Sequence, residues 1–245
     1  MIPKPTLFFR LAFAGVTLLE LIGETMDNPW LTYVCKPLII GLLFVFIWQN
    51  YGSIALLKPA RWLLIGMAFA LAGDVFLMIR ETDLFAPGLG AFLVMQLCYC
   101  VCFWQSIHQS GRAIGIQSIG KKAIPFMLYG IGFLVVLRPA FSQNPALTAL
   151  WWPVVVYAIC LCTMGLVATL RQGLARYGQV VVGALLFMFS DSVIAVDKFL
   201  QPITGASWLV MSTYAAAQYL IVVGMVQVLS TQKEPDLVIR PSRAS

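Results

Sequence analysis

Three ionisable residues of this sequence, Lys36, Asp74 and Asp191, lie inside long apolar stretches. A charged side chain in the middle of a bilayer costs about 2.5–3.5 kcal/mol on insertion scales, so such residues face an interior cavity and have partners. Gln96, Tyr157, Tyr214 and Gln218 are polar groups in comparable stretches, suited to positioning a substrate or a water. Two aspartates and one lysine are able to keep one carboxyl protonated and the other ionised, which makes a general acid and a general base. The same groups would also serve a proton relay in a carrier. They would equally form a buried ion pair that fixes helix packing, with Gln96 and Gln218 bonding between helices for about 0.6 kcal/mol each.

What is missing narrows the chemistry. The only histidine, His108, ends a helix beside a basic, glycine-containing loop, so a Ser-His-Asp triad in the membrane has no base. A three-histidine zinc site is excluded within one chain, and Gly-x-Ser-x-Gly does not occur. Cys35, Cys98, Cys100, Cys102, Cys160 and Cys162 all fall in apolar stretches, where they act as small hydrophobes. No disulfide, metal or cofactor is expected, because hydrolysis by proton transfer needs only water. Asp197 and Lys198, at a helix end, read as interfacial.

Composition says what must position these groups. Of 245 residues 60% are hydrophobic and 11% charged, where a soluble domain has about 25% charged residues. Stretches of the roughly 20 apolar residues that cross a hydrocarbon core recur along the chain. Alternating segments that would build a barrel do not. The expectation is an all-α polytopic membrane protein with about eight transmembrane helices in one bundle, near 7–24, 33–49, 60–80, 88–107, 122–140, 146–170, 177–198 and 206–229. Residues 1–230 then form a single domain, with Met1–Pro5 leading into a retained first helix and a polar, disordered tail over 231–245. Asp27-Asn28-Pro29, Lys58-Pro59, Pro87-Gly88, Gln143-Asn144-Pro145 and Gln201-Pro202 supply the turn chemistry between spans.

With eight spans, Lys58, Arg61, Arg112, Lys121, Lys122, Arg171, Arg176, Lys233, Arg240 and Arg243 lie on one side. Only Arg80, Arg138 and Lys198 lie on the other, each at a helix end. Excess basic loops mark the cytoplasmic face, so both termini are cytoplasmic, as suits a bacterial inner membrane. The net charge of +6 is thus topological and implies no nucleic acid partner. In this orientation Lys36, Asp74, Gln96, Tyr157, Asp191, Tyr214 and Gln218 all fall in the outer halves of their helices, at similar depth. An internal echo, Gly73-Asp74 then Gln96 and Tyr99 against Ser190-Asp191 then Tyr214 and Gln218, fits a weak parallel repeat of four helices and four. Lys36 has no counterpart in it.

Lys36-Pro37-Leu38, the run from Leu71 to Met78 around Gly73-Asp74, the run from Gly183 to Asp191, and Thr213-Tyr214 with Gln218-Tyr219-Leu220-Ile221 resemble the YhhN-like lysoplasmalogenase family in order and spacing, over about residues 30 to 225. The resemblance implies a multi-spanning protein that hydrolyses the vinyl ether bond of lysoplasmalogen, releasing a fatty aldehyde and glycerophosphocholine or glycerophosphoethanolamine. Its partner is then a membrane lipid. One departure is Gln96, where the family's fourth-helix motif is expected to carry histidine; glutamine does not move protons, although it replaces an orienting hydrogen bond. A vinyl ether needs no nucleophilic side chain. Protonation of the alkenyl carbon gives an oxocarbenium ion, water adds, and the hemiacetal collapses, as two carboxyls do for glycosides. Asp74 and Asp191 are the expected catalytic pair, with Lys36 tuning them or holding phosphate, and Gln96, Tyr157, Tyr214 and Gln218 positioning water and head group. A proton-coupled carrier and a non-catalytic membrane scaffold are the competing classes.

Overall fold

A computed structural model describes residues 4–54, 57–79 and 82–238, without the side chains of 51–54 and 232–238. Every regular element among them is helical: α1 (Leu7–Thr25), α2 (Pro29–Ile54), α3 (Lys58–Met78), α4 (Phe85–Gln109), α5 (Ile116–Gln143), α6 (Pro145–Thr148), α7 (Trp151–Leu170), α8 (Tyr177–Phe199) and α9 (Ala206–Val238). Lipid offers the backbone no hydrogen-bond partners, and a helix satisfies its own. The ends follow local chemistry. Thr6 caps α1 by accepting from the Phe9 amide at 3.2 Å, and Pro59 and Pro145 occupy first-turn positions where a missing N–H costs nothing.

Seven of these helices are long and apolar enough to cross a membrane, and the chain is an integral membrane protein. The first expected span is also a helix, but α1 carries Arg10, Glu20 and Glu24 in its 19 residues. It nevertheless lies in the bundle. Near its start Phe9 meets Phe46 at 5.2 Å and Phe13 meets Tyr219 at 5.1 Å. At its end Thr25 accepts from the Trp208 indole at 2.6 Å. α1 therefore runs antiparallel to α9 along its length. The expected 146–170 span is broken: Asn144 and Pro145 start the single turn of α6, Thr148 Oγ1 returns to the Phe141 carbonyl at 3.1 Å, and the membrane helix begins at Trp151. The backbone of α9 continues to Val238. The rest of the expected tail, 239–245, lies outside the described residues, as do Arg80 and the side chain of Lys233.

Basic loops gather at one end. Lys122 Nζ donates to the Thr169 carbonyl at 3.0 Å and to Gln172 Oε1 at 2.7 Å, and Arg112 donates to the Gln172 carbonyl. These cations hold the carbonyls left free where α7 ends, the favourable place for positive charge on a helix. At the other end Arg138 covers the Trp151 ring at 4.6 Å and Lys198 the Phe85 ring at 5.1 Å. Side chains such as Trp30, Trp48, Val135 and Trp152 present apolar surface outward, as lipid contact requires.

Candidate active site

On α3, Gly66, Ala70 and Gly73 follow one another at helical spacing and let α4 approach closely. A Cβ at Gly66 would come within 2.7 Å of the Tyr99 ring, and one at Gly73 within 2.7 Å of Phe92. That close seam sets Asp74, one residue on and only 2% exposed, against α9, where Tyr214 Oη donates to Asp74 Oδ2 at 2.7 Å. One turn further along α9, Gln218 Oε1 accepts from Tyr99 Oη at 2.7 Å. Lys36, half-buried on α2, is within electrostatic reach of Asp74.

Asp191 on α8 has a different set of partners. Its Oδ2 accepts from Tyr157 Oη of α7 at 2.5 Å and from Gln96 Nε2 of α4 at 3.3 Å. Two donors on one oxygen fix the carboxyl, and Asp191 lines a narrow cavity of about 50 Å3, enough for a few waters. The walls are apolar, with Leu77, Phe85, Leu89, Phe92 and Phe199 among them. Gln96 Oε1 is buried and has no donor among the described residues. Beside Asp191, Ser192 is hydrogen-bonded to Tyr129 of α5.

The seven expected residues fall into two groups. Asp74, Lys36, Tyr214 and Gln218 form one; Asp191, Gln96 and Tyr157 form the other. Phe92 stands between them: it lines the Asp191 cavity, packs on Gly73 and meets the Tyr214 ring edge-on at 5.8 Å. The pairing is reciprocal, since Asp74 is served from α9 and Asp191 from α4, the echo residues of the opposite halves.

Glu20 of α1 was not among the expected residues. It is fully buried, within electrostatic reach of Lys36 and Asp74, and neither carboxyl oxygen accepts a hydrogen bond among the described residues. Its signal was in the sequence: it is a carboxyl inside an expected span, as Asp74 and Asp191 are. Tyr99, expected only as part of the internal echo, holds Gln218. Among the described residues no three His, Cys, Asp or Glu side chains gather as a metal would require.

The sequence model of the YhhN family matches residues 31–225. The chain is 29% identical over 249 residues to a Bos taurus protein named lysoplasmalogenase TMEM86A, covering 99% of this chain and 95% of that one. It is 31% identical to human lysoplasmalogenase TMEM86B over 195 residues, 78% of this chain and 74% of that one. A Mycobacterium tuberculosis lysoplasmalogenase is 30% identical over 170 residues, 68% of this chain and 61% of that one. No solved structure matches the chain.

Proposed function

The chain belongs to the YhhN family, and on that premise we propose that it is a lysoplasmalogenase, hydrolysing the vinyl ether of a membrane lysolipid to a fatty aldehyde and a glycerophospho-alcohol. The observation that carries the reading is Asp191: a carboxyl pinned by Tyr157 and Gln96 at the head of an apolar cavity. Asp191 delivers a proton to the second alkenyl carbon, leaving an oxocarbenium ion at the first. As carboxylate it then takes a proton from the water that adds there. The hemiacetal so formed collapses when Asp191, protonated by that water, protonates the glycerol oxygen as the C–O bond breaks and takes back the hydroxyl proton as the aldehyde forms, so the sum is one water consumed and Asp191 is returned protonated.

Asp74 acts from behind Phe92. Its negative charge, held by Tyr214, favours the cation formed in the cavity and attracts Lys36, a partly buried lysine that takes the lipid phosphate. Gln218 supports Tyr99 behind the same wall. The protein sits in a bacterial inner membrane with both termini cytoplasmic and the site toward the opposite face. What supports this orientation is that Arg112 and Lys122 meet at the end of the bundle away from Asp74 and Asp191.

The test is aldehyde release from purified lysoplasmalogen by detergent-solubilised protein, with the saturated-ether lysolipid as control. Aldehyde from the vinyl ether alone is expected. No aldehyde from folded protein would overturn the reading, and solute movement by the same protein in vesicles would put a carrier in its place.

A further inference from the structure

The cavity below Asp191 is far too small for the hydrocarbon tail of a lysolipid. A second void, about 330 Å3, opens along the outer seam of α5 and α7, lined by Phe126, Met127, Ile131 and Cys162 among other apolar side chains. The two spaces have walls in common: Gly130 of α5 and Ala158 of α7 line both. These are the smallest side chains available at a crossing point. A Cβ built at Gly130 meets only Cys162 Sγ, at 3.0 Å, so the partition there is thin.

Helix α5 is the least buried of the membrane spans, and Pro125 and Pro139 interrupt its hydrogen bonding on either side of Gly130. It is tied to α8 through Tyr129 and Ser192, next to Asp191. A segment flanked by two prolines and held by a side-chain hydrogen bond is the part of the wall best able to give way toward lipid.

Building on the lysoplasmalogenase reading, we propose that the α5–α7 seam is the binding site for the substrate's alkenyl chain. The chain stays in contact with the bilayer, lies along Met127, Ile131 and Cys162, and passes between Gly130 and Ala158 to bring its first two carbons to Asp191. The lipid then never leaves the membrane to react, and chain selectivity is set at Gly130 and Ala158 rather than at the carboxyls.

The experiment compares kcat/KM for a long-chain lysoplasmalogen and a short-chain vinyl ether analogue. Gly130→Leu and Ala158→Leu, which narrow the crossing from opposite walls, are expected to lower the long-to-short ratio about tenfold or more, the scale at which a pocket discriminates methylenes. Leu128→Trp, on the exposed face of α5 and outside both spaces, is expected to leave the ratio alone. A second readout is alkylation of Cys162 followed by peptide mass spectrometry: the saturated-ether lysolipid should protect Cys162 in the parent. An unchanged ratio in both leucine variants, with aldehyde still formed, would overturn the assignment and leave the hydrolase reading intact. Protection of Cys162 by any bilayer phospholipid alike would assign the seam to resident lipid instead. Absence of aldehyde from the parent would remove both readings together.

Discussion

The ring of Phe92 stands edge-on to that of Tyr214 with centroids 5.8 Å apart, and this one contact separates Asp191, which faces the cavity, from Asp74, which does not. Two carboxyls expected to act as a pair therefore have unequal access to a substrate.

The first prediction follows from that inequality. Asp191→Asn should lower kcat by about 10²–10⁴, the usual worth of a proton-transferring group, with little change in KM. Asp74→Asn should lower kcat less, because its charge reaches the cation only from behind Phe92, and should also raise KM, because the charge that attracts Lys36 is lost. Steady-state kinetics on both variants decides. Equal losses in kcat with unchanged KM would mean that the two carboxyls flank the reacting bond together.

Gln96 supplies the weaker of the two hydrogen bonds on Asp191, at 3.3 Å. Gln96→Leu should lower kcat about tenfold, the equivalent of roughly 1.4 kcal/mol of transition-state stabilisation. Gln96→His, which keeps a ring N–H donor, should recover most of it. Parent-like kinetics in the leucine variant would reduce Gln96 to a packing residue.

Tyr99 bonds Gln218 in the driest part of the site, where both residues are 0% exposed. Tyr99→Phe removes the donor and leaves a buried acceptor unpaired, which costs about 1–3 kcal/mol. Thermal unfolding in detergent should show the loss, and Gln218→Met combined with it should restore part, since the orphaned acceptor is then gone.

Arg171, just beyond α7, is fully buried; Nε donates to Ser106 at 3.1 Å and the plane lies 5.6 Å from Phe103, but neither terminal nitrogen has a partner among the described residues. Burial pushes the guanidinium down from 12.5 to about 10. A base depressed on folding binds its proton more tightly unfolded, so the cost is present in full at neutral pH and is relieved as pH rises above about 10. Arg171→Met should therefore raise stability at neutral pH, by about 1–2 kcal/mol once the lost cation–π contact is set against the relieved charge. A lower unfolding temperature in the variant would show that the guanidinium is stabilising as it stands.

Membrane insertion, helical class, the approximate spans and the placing of Lys36, Asp74 and Asp191 within helices were legible in the sequence. Each depends on a local quantity: the length of apolar chain that crosses hydrocarbon, or the cost of a charge within it. The same rule, applied to the first apolar stretch, would also have found Glu20. The break at Asn144-Pro145 was visible as a turn, but the single turn of α6 that moves the start of α7 to Trp151 was not, because capping by Asn144 and Thr148 needs their geometry. Which donor each carboxyl takes was decided only by the tertiary structure. Asp74 and Tyr214 are 140 residues apart, and Asp191 and Gln96 are 95 apart. Their meeting depends on how far each helix is rotated about its axis, and that rotation is set by the close approach of α4 to Gly66 and Gly73. Spacing along one helix says which residues share a face; only packing between helices says what that face meets.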